Sequence, residues 1–400
     1  MKKICIFALC VVVTVFLFGC QAAEDPIMNA DTTKPHITPL SPTEPTQTVV
    51  FENLYAIALP ISYQSFSKEN ELIFEYSYPT MFLTIPDSEV ADKIIVDFLN
   101  RIDGTHSDAQ NTYNRAIADH ASVAQWTPYT YHISYDPMRI DQGVLSLFGQ
   151  TIQYSGGSHS NRTCVSANYD MITGNLMTLG SILYHLDAKD DLCNLVIQQL
   201  REQKESLQLY SDFDEVVEDH FSADESHFES FFFSSTGLNF YFAPYEIAPY
   251  ASGNITVEIP YAQLTGIIGD QYFPAERQAS SGDITAHLFS DADLDKYEQF
   301  AEIIKDEGGE KIILATDEVI YDVRIYSGMW NMDGNEFTIT NTLFAANVLT
   351  SQDAVMLEAY IPDVMPDLMI SYNNGNSTNA YYIHQSGEDG SIILEQTTVN

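Results

Sequence analysis

Basic residues are scarce in this chain. Its 400 residues include 17 Lys and Arg against 56 Asp and Glu. Nucleic-acid binding needs a basic face, so nucleic acid is excluded as a partner. Anionic lipid and anionic wall polymers are repelled, whereas cationic proteins, cationic peptides and divalent metals are attracted. Cysteine is scarcer still, with five in all. Cys5, Cys10 and Cys20 fall near the start, so the folded body keeps only Cys164 and Cys193. The sequence has no Gly-x-Ser-x-Gly, no phosphate-binding loop and no Cys-His nucleophile pattern. Those absences argue against the commonest hydrolase and nucleotide chemistries.

The chain begins like an exported protein. Lys2 and Lys3 precede the apolar run Ile4–Phe18, which is short for a membrane span. Leu17-Phe18-Gly19-Cys20 resembles a bacterial lipoprotein cleavage box, with cleavage before Cys20 and lipid on its thiol. An uncleaved anchor helix is the other reading. Residues 1–19 are therefore expected to be a signal peptide, and the body to lie on the outer face of the cytoplasmic membrane, lipid-anchored. Residues 20–47 alternate Pro26, Pro35, Pro39, Pro42 and Pro45 with polar residues. Such a segment buries too little to fold and acts as an extended tether. Loss of Lys2 and Lys3 leaves 15 basic against 56 acidic residues, a mature charge of about −41.

The remainder exceeds one ordinary domain. Residues 48–149 read as a small α+β domain. Its first strand ends near Pro60, and two further strands are separated by Pro79. A helix capped by Asp87 or Ser88 is interrupted at Gly104, and two strands close the segment. Residues 150–274 read as a second α+β domain, with a helix over 189–203 and a hairpin turning at Ser235-Thr236-Gly237. Residues 283–400 read as a mainly β, sandwich-like domain led by an amphipathic helix over 290–306. The fold class expected is thus α+β, as two small α+β domains followed by a C-terminal β-rich one.

Chain organisation centres on Asn239–Tyr261. Phe240 and Phe242 alternate with Tyr241, and Ile255, Val257 and Ile259 alternate with Thr256 and Glu258, so two half-buried strands are expected. Pro244, Pro249 and Gly253 shape the connection between them. Tyr245, Glu246 and Tyr250 on that connection form either a loop tucked onto its own sheet or a recognition surface. In the second case tyrosine supplies contact area and Glu246 suits a basic partner. His159, beside Gly156 and Gly157, is either part of a strand bend or a binding residue. Cys164 on a strand and Cys193 on a helix both look buried. They are either two thiols or a disulfide, which is possible outside the cytoplasm.

Two constellations invite metal readings. Asp291, Asp293, Asp295 and Glu302 match a calcium loop, except that Lys296 stands where glycine is needed. The acidic first turn of a helix explains them as well. Asp219, His220, Asp224, Glu225 and His227 cluster, but His220 and His227 would stand about 10.5 Å apart along one helix, too far for one zinc ion. No metal and no cofactor is expected.

The runs FYFAPYEIAPYASG…IPY, YSGGSHSN (Tyr154–Asn161) and NYDMITGNLMTLGSIL (Asn168–Leu183) resemble the extracellular domain shared by RsiV-type anti-sigma factors, which sense lysozyme, and PdaC-type peptidoglycan deacetylases. The resemblance covers about Thr151–Phe273, and a looser one to the preceding partner domain covers about Thr48–Gly149. Neither brings a catalytic residue. The Asp-Asp and His-x-x-x-His signatures of the deacetylase catalytic domain are absent. The resemblance implies a surface lipoprotein that binds or senses, possessing no enzymatic role, with a cationic wall-active protein such as lysozyme as partner. A peptidoglycan-modifying envelope enzyme and a structural envelope lipoprotein are the rival readings.

Overall fold

The computed structural model describes residues 54–123, 125–222, 230–331, 336–363 and 365–398. The expected signal segment, Cys20 and the tether lie outside the described residues, as do Asp224, Glu225 and His227. Strands β1 (Tyr55–Phe66) and β2 (Leu72–Thr84) lead into helix α1 (Ser88–His120), followed by β3 (Tyr129–Ile140), β4 (Val144–Tyr154) and β5 (Asn161–Asp170). Next come α2 (Leu179–Ile182), α3 (Ala188–Glu202), α4 (Lys204–Leu207) and α5 (Phe213–Ser222), then β6 (Phe231–Phe233), β7 (Gly237–Phe242) and β8 (Ile255–Pro260). The rest is nearly all strand. It comprises β9 (Ile284–Leu288), one turn of helix α6 (Asp293–Lys296), β10 (Gln299–Ile304), β11 (Glu310–Thr316), β12 (Ile320–Asn331), β13 (Glu336–Leu349), β14 (Asp353–Ala359), β15 (Leu368–Asn373), β16 (Thr378–Gln385) and β17 (Ile392–Thr397).

The fold is mixed α+β, and the described residues form three sheets. A ten-stranded sheet runs β17-β16-β15-β12-β13-β1-β2-β3-β4-β5, so strands from all three sequence segments share it. Among the described strands its only parallel pair is β2–β3, bridged by α1, as a parallel connection requires. A four-stranded sheet, β10-β14-β11-β9, packs on its C-terminal half around Ile303, Leu314, Phe344, Val355 and Ile370. The third sheet, β6-β7-β8, packs against α3 and α5 through Phe213, Val217, Phe231, Phe240 and Val257. No described helix is long and apolar enough to cross a membrane.

Three local expectations need correction. Pro60 and Pro79 do not end their strands: they lie opposite one another inside an unbroken β1–β2 ladder. Neither proline has a strand on its other side, since β1 meets β13 only at Tyr55–Ile57 and β2 meets β3 only at Phe74–Ser77. The missing donors therefore break no further ladder. Gly104 does not interrupt α1, which runs 33 residues. A Cβ there would meet nothing, and Val90, Ile94, Phe98, Ile102 and Ala109 keep one buried stripe through it. The expected amphipathic helix over 290–306 is a single turn followed by a strand. β10 pairs parallel to β14 and buries Ala301 and Ile303, so alternation outweighs the helical period. Nor is there a calcium loop, because both Asp293 oxygens are taken. Oδ1 meets His287 Nε2 at 2.8 Å, and Oδ2 accepts from the Ser290 N–H at 2.8 Å and its hydroxyl at 3.0 Å.

Cys164 and Cys193 are both buried and free. Burial pushes each thiol up to about 11, so neither ionises near neutrality. In the native protein these two thiols should be inert to a thiol reagent at about pH 8. Unreduced and denatured, it should titrate two thiols from these positions. A disulfide would leave none.

Candidate functional site

The β7–β8 connection is held from inside. The Ile247 and Ala248 side chains are buried in the α3–α5 core, and the Ile247 carbonyl accepts from the Tyr210 N–H at 2.9 Å. Two backbone bonds close the turn: Tyr245 N–H to the Ala248 carbonyl and Glu246 N–H to the Ala243 carbonyl, both 3.1 Å. Glu246 then fixes the entry, its Oε2 accepting from the Ala243 N–H at 2.6 Å and its Oε1 meeting His220 Nε2 of α5 at 2.5 Å. With its apolar members anchored, the turn throws Tyr245 outward. Tyr245 has a φ of 71°, a left-handed conformation unfavourable for a bulky residue, and is 65% exposed.

Tyr250 lies between two other rings. Its centroid is 5.4 Å from that of Tyr245 and 4.7 Å from that of His159. Its hydroxyl donates to the Ser160 carbonyl at 3.2 Å, tying the loop to the β4–β5 hairpin. Gly156 and Gly157, with φ of 89° and 104°, turn that hairpin and deliver His159. Residues about ninety positions apart thus meet in a row, His159–Tyr250–Tyr245. Such a row offers flat contact area and ring faces suited to a cation. Of the four candidate residues, Glu246 turns inward, with both carboxylate oxygens engaged by its own chain. Sequence reasoning placed His220 in an acid–histidine cluster and missed that its partner is Glu246. The helical spacing Phe213, Val217, Phe221, which puts α5 against this sheet, was the available signal.

Electrostatics at the loop follow from that pair. The hydrogen bond to Glu246 raises the His220 pKa above 6.5, outweighing burial. Burial alone would raise the Glu246 carboxyl, but the bonds from His220 and the Ala243 N–H hold it below 4.5. The histidine contribution to stability is complete below 6.5 and is lost as pH rises through the raised value. The glutamate contribution is complete above 4.5 and is lost as pH falls through the lowered value. The difference in urea stability between wild type and His220→Gln should therefore be largest between 4.5 and 6.5 and shrink at more alkaline pH. A difference independent of pH would show that the pair is not ionic.

Elsewhere, a cavity of about 580 Å³ beside β11 carries two carboxylates, Glu310 and Asp367. Each is already held, Glu310 by the Gln385 amide at 2.7 Å and Asp367 by Lys305 at 2.8 Å. Among the described residues no group of three His, Cys, Asp or Glu side chains could hold a metal ion.

A mixed α+β body displaying an aromatic loop from a small three-stranded sheet is the class of protein that this geometry defines. Residues 181–262, which include His220, Glu246 and both tyrosines, match the family described as a protein of unknown function, DUF3298; the chain carries that domain. Two solved structures are similar to this chain. One is a DUF3298 family member from Bacteroides fragilis NCTC 9343, at 18% identity, covering 55% of this chain and 94% of its own, with a TM-score of 0.39. The other is a DUF3298 family protein from Pseudomonas aeruginosa PAO1, at 14% identity, covering 55% and 96%, with a TM-score of 0.36. No curated protein matches the chain.

Proposed function

We propose that this chain is a cell-envelope lipoprotein, anchored through Cys20 on the outer face of the cytoplasmic membrane, that binds or senses a cationic wall-active protein such as lysozyme. It is read as an RsiV-like, PdaC-like binding module and not as an enzyme. The observation that carries the reading is the surface row His159–Tyr250–Tyr245, displayed by a loop whose interior is fixed. A mature charge of about −41 would steer a cationic partner toward the body. Screening sets in over about 8–10 Å at ordinary ionic strength, so the long-range part weakens in salt. Desolvated aromatic anchors supply what charge cannot, and tyrosine is favoured in that role. Glu246 serves by holding the loop in shape through His220.

The test is lysozyme binding by wild type, Tyr245→Ala and Tyr250→Ala, each checked for unchanged melting. Each substitution should weaken binding by about 1–2 kcal/mol. Lost stability with unaltered affinity would show the loop to be structural only.

A further inference from the structure

A second surface lies on the opposite wall of the β4–β5 hairpin. Thr151 and Gln153 share the face of β4 that, further back, buries Leu145 and Leu147 beneath α1. The register aligns Tyr131, Gln153 and Asn161 in one row across β3, β4 and β5, with Thr151 opposite Thr163 in the next. From α1, Asp108 and Asn111 complete a groove of about 320 Å³. That volume falls at the lower end of ordinary ligand pockets, about 300–1,000 Å³.

The chemistry of the lining narrows the ligand. Among the described residues no Lys, Arg or His lines the groove, so a phosphate or carboxylate would find no counter-charge there. Asp108 is the single carboxylate among its described lining residues, too few for a metal site. An apolar ligand would strand amides and hydroxyls without partners. What remains is a neutral ligand whose groups both donate and accept, as these hydroxyls and amides do. The donors and acceptors are partly pre-set. Gln153 Nε2 donates to Thr112 Oγ1 at 2.7 Å, and that buried hydroxyl donates to the Asp108 carbonyl at 2.8 Å. Gln153 is thereby held with its carbonyl oxygen as the remaining acceptor. Tyr131 forms a buried floor, and burial together with Asp108 and Tyr76 pushes its hydroxyl up to about 12, so it stays protonated at neutral pH. Glycoside hydrolysis needs two carboxyl groups flanking the bond, and this groove has one.

We propose that the groove between α1 and β3–β5 is a binding site for a neutral oligosaccharide, which it holds without cleaving. The groove shares no lining residue with the aromatic row His159–Tyr250–Tyr245, although Asn161 lies only two residues beyond His159.

The experiment uses the full chain in detergent and calorimetric titration with three probes: tetra-N-acetylchitotetraose, cellotetraose and maltotetraose. At least one should bind saturably and be recovered uncleaved. Asn161 and Thr163 are exposed, so the double variant Asn161→Ala, Thr163→Val should melt like wild type and bind at least tenfold more weakly. Tyr245→Ala should bind the saccharide unchanged, which separates this site from the protein-binding loop. Saturation by none of the probes, or an unaltered affinity in the double variant, would overturn the proposal. So would tighter binding of the anionic tetragalacturonate than of every neutral probe.

Discussion

Asp141→Ala should lower the stability of the folded body by about 3–5 kcal/mol, the cost of leaving a buried charge uncompensated. The charge is Arg139, which is 4% exposed. Its Nε meets Asp141 Oδ2 at 2.5 Å, and its Nη1 donates to the Tyr261 hydroxyl at 2.5 Å and the Tyr272 carbonyl at 2.6 Å. The guanidinium also lies over the Phe233 and Tyr261 rings, 5.7 and 5.3 Å from their centroids. One side chain of β3 therefore fastens the large sheet to the DUF3298 region. Asp141 contributes twice, because its Oδ1 also accepts from the Gly143 and Val144 N–H groups at 2.9 and 3.0 Å. Arg139→Met removes the charge and keeps the volume. It should cost less, about 1–3 kcal/mol, for the stranded Tyr261 and Tyr272 acceptors. Urea unfolding of both variants checks the order. A larger loss from Arg139→Met would mean that the contacts, and not the buried charge, dominate.

Phe240→Ala should cost about 3–5 kcal/mol, as expected for removing a fully enclosed aromatic ring. Phe240 is completely buried, with centroids 5.5 Å from Phe221 of α5 and 6.5 Å from Phe231 of β6. It joins the helix that carries His220 to the strand that launches the aromatic loop. Its neighbour Tyr241 faces the other way, against Phe148 of the large sheet. Alternation along β7 thus glues two layers with consecutive residues. Unfolding in urea reports the energy, and a loss well below 2 kcal/mol would mean that the site collapses to fill the space.

Those residues also show what a sequence can and cannot disclose. The alternation Phe240, Tyr241, Phe242, the turn at Ser235–Gly237 and the two prolines of the loop are local signals, and the strands stand where they point, but β7 is buried on both faces rather than half-buried, because Tyr241 packs against Phe148 of the large sheet. The α+β class was legible for the same reason. Sheet membership was not. β1 pairs with β13, Tyr55 opposite Ala346, far apart along the chain, and no local pattern records a partner so distant. The error at 290–306 came from apolar residues that fit both periods, which only the pairing with β14 resolves. Within the site, the tyrosines and His159 could be nominated singly. Their convergence, the inward turn of Glu246 and the role of Arg139 depend on contacts between distant elements.

The decisive measurement of specific binding is lysozyme affinity compared with that of an unrelated protein of equal positive charge, measured with the full chain across a salt series. Both affinities should weaken as ionic strength rises, lysozyme should keep a residual affinity at high salt, and Tyr250→Ala should remove most of it. Equal binding of the two proteins at every salt concentration would exclude specific recognition and leave only an acidic surface.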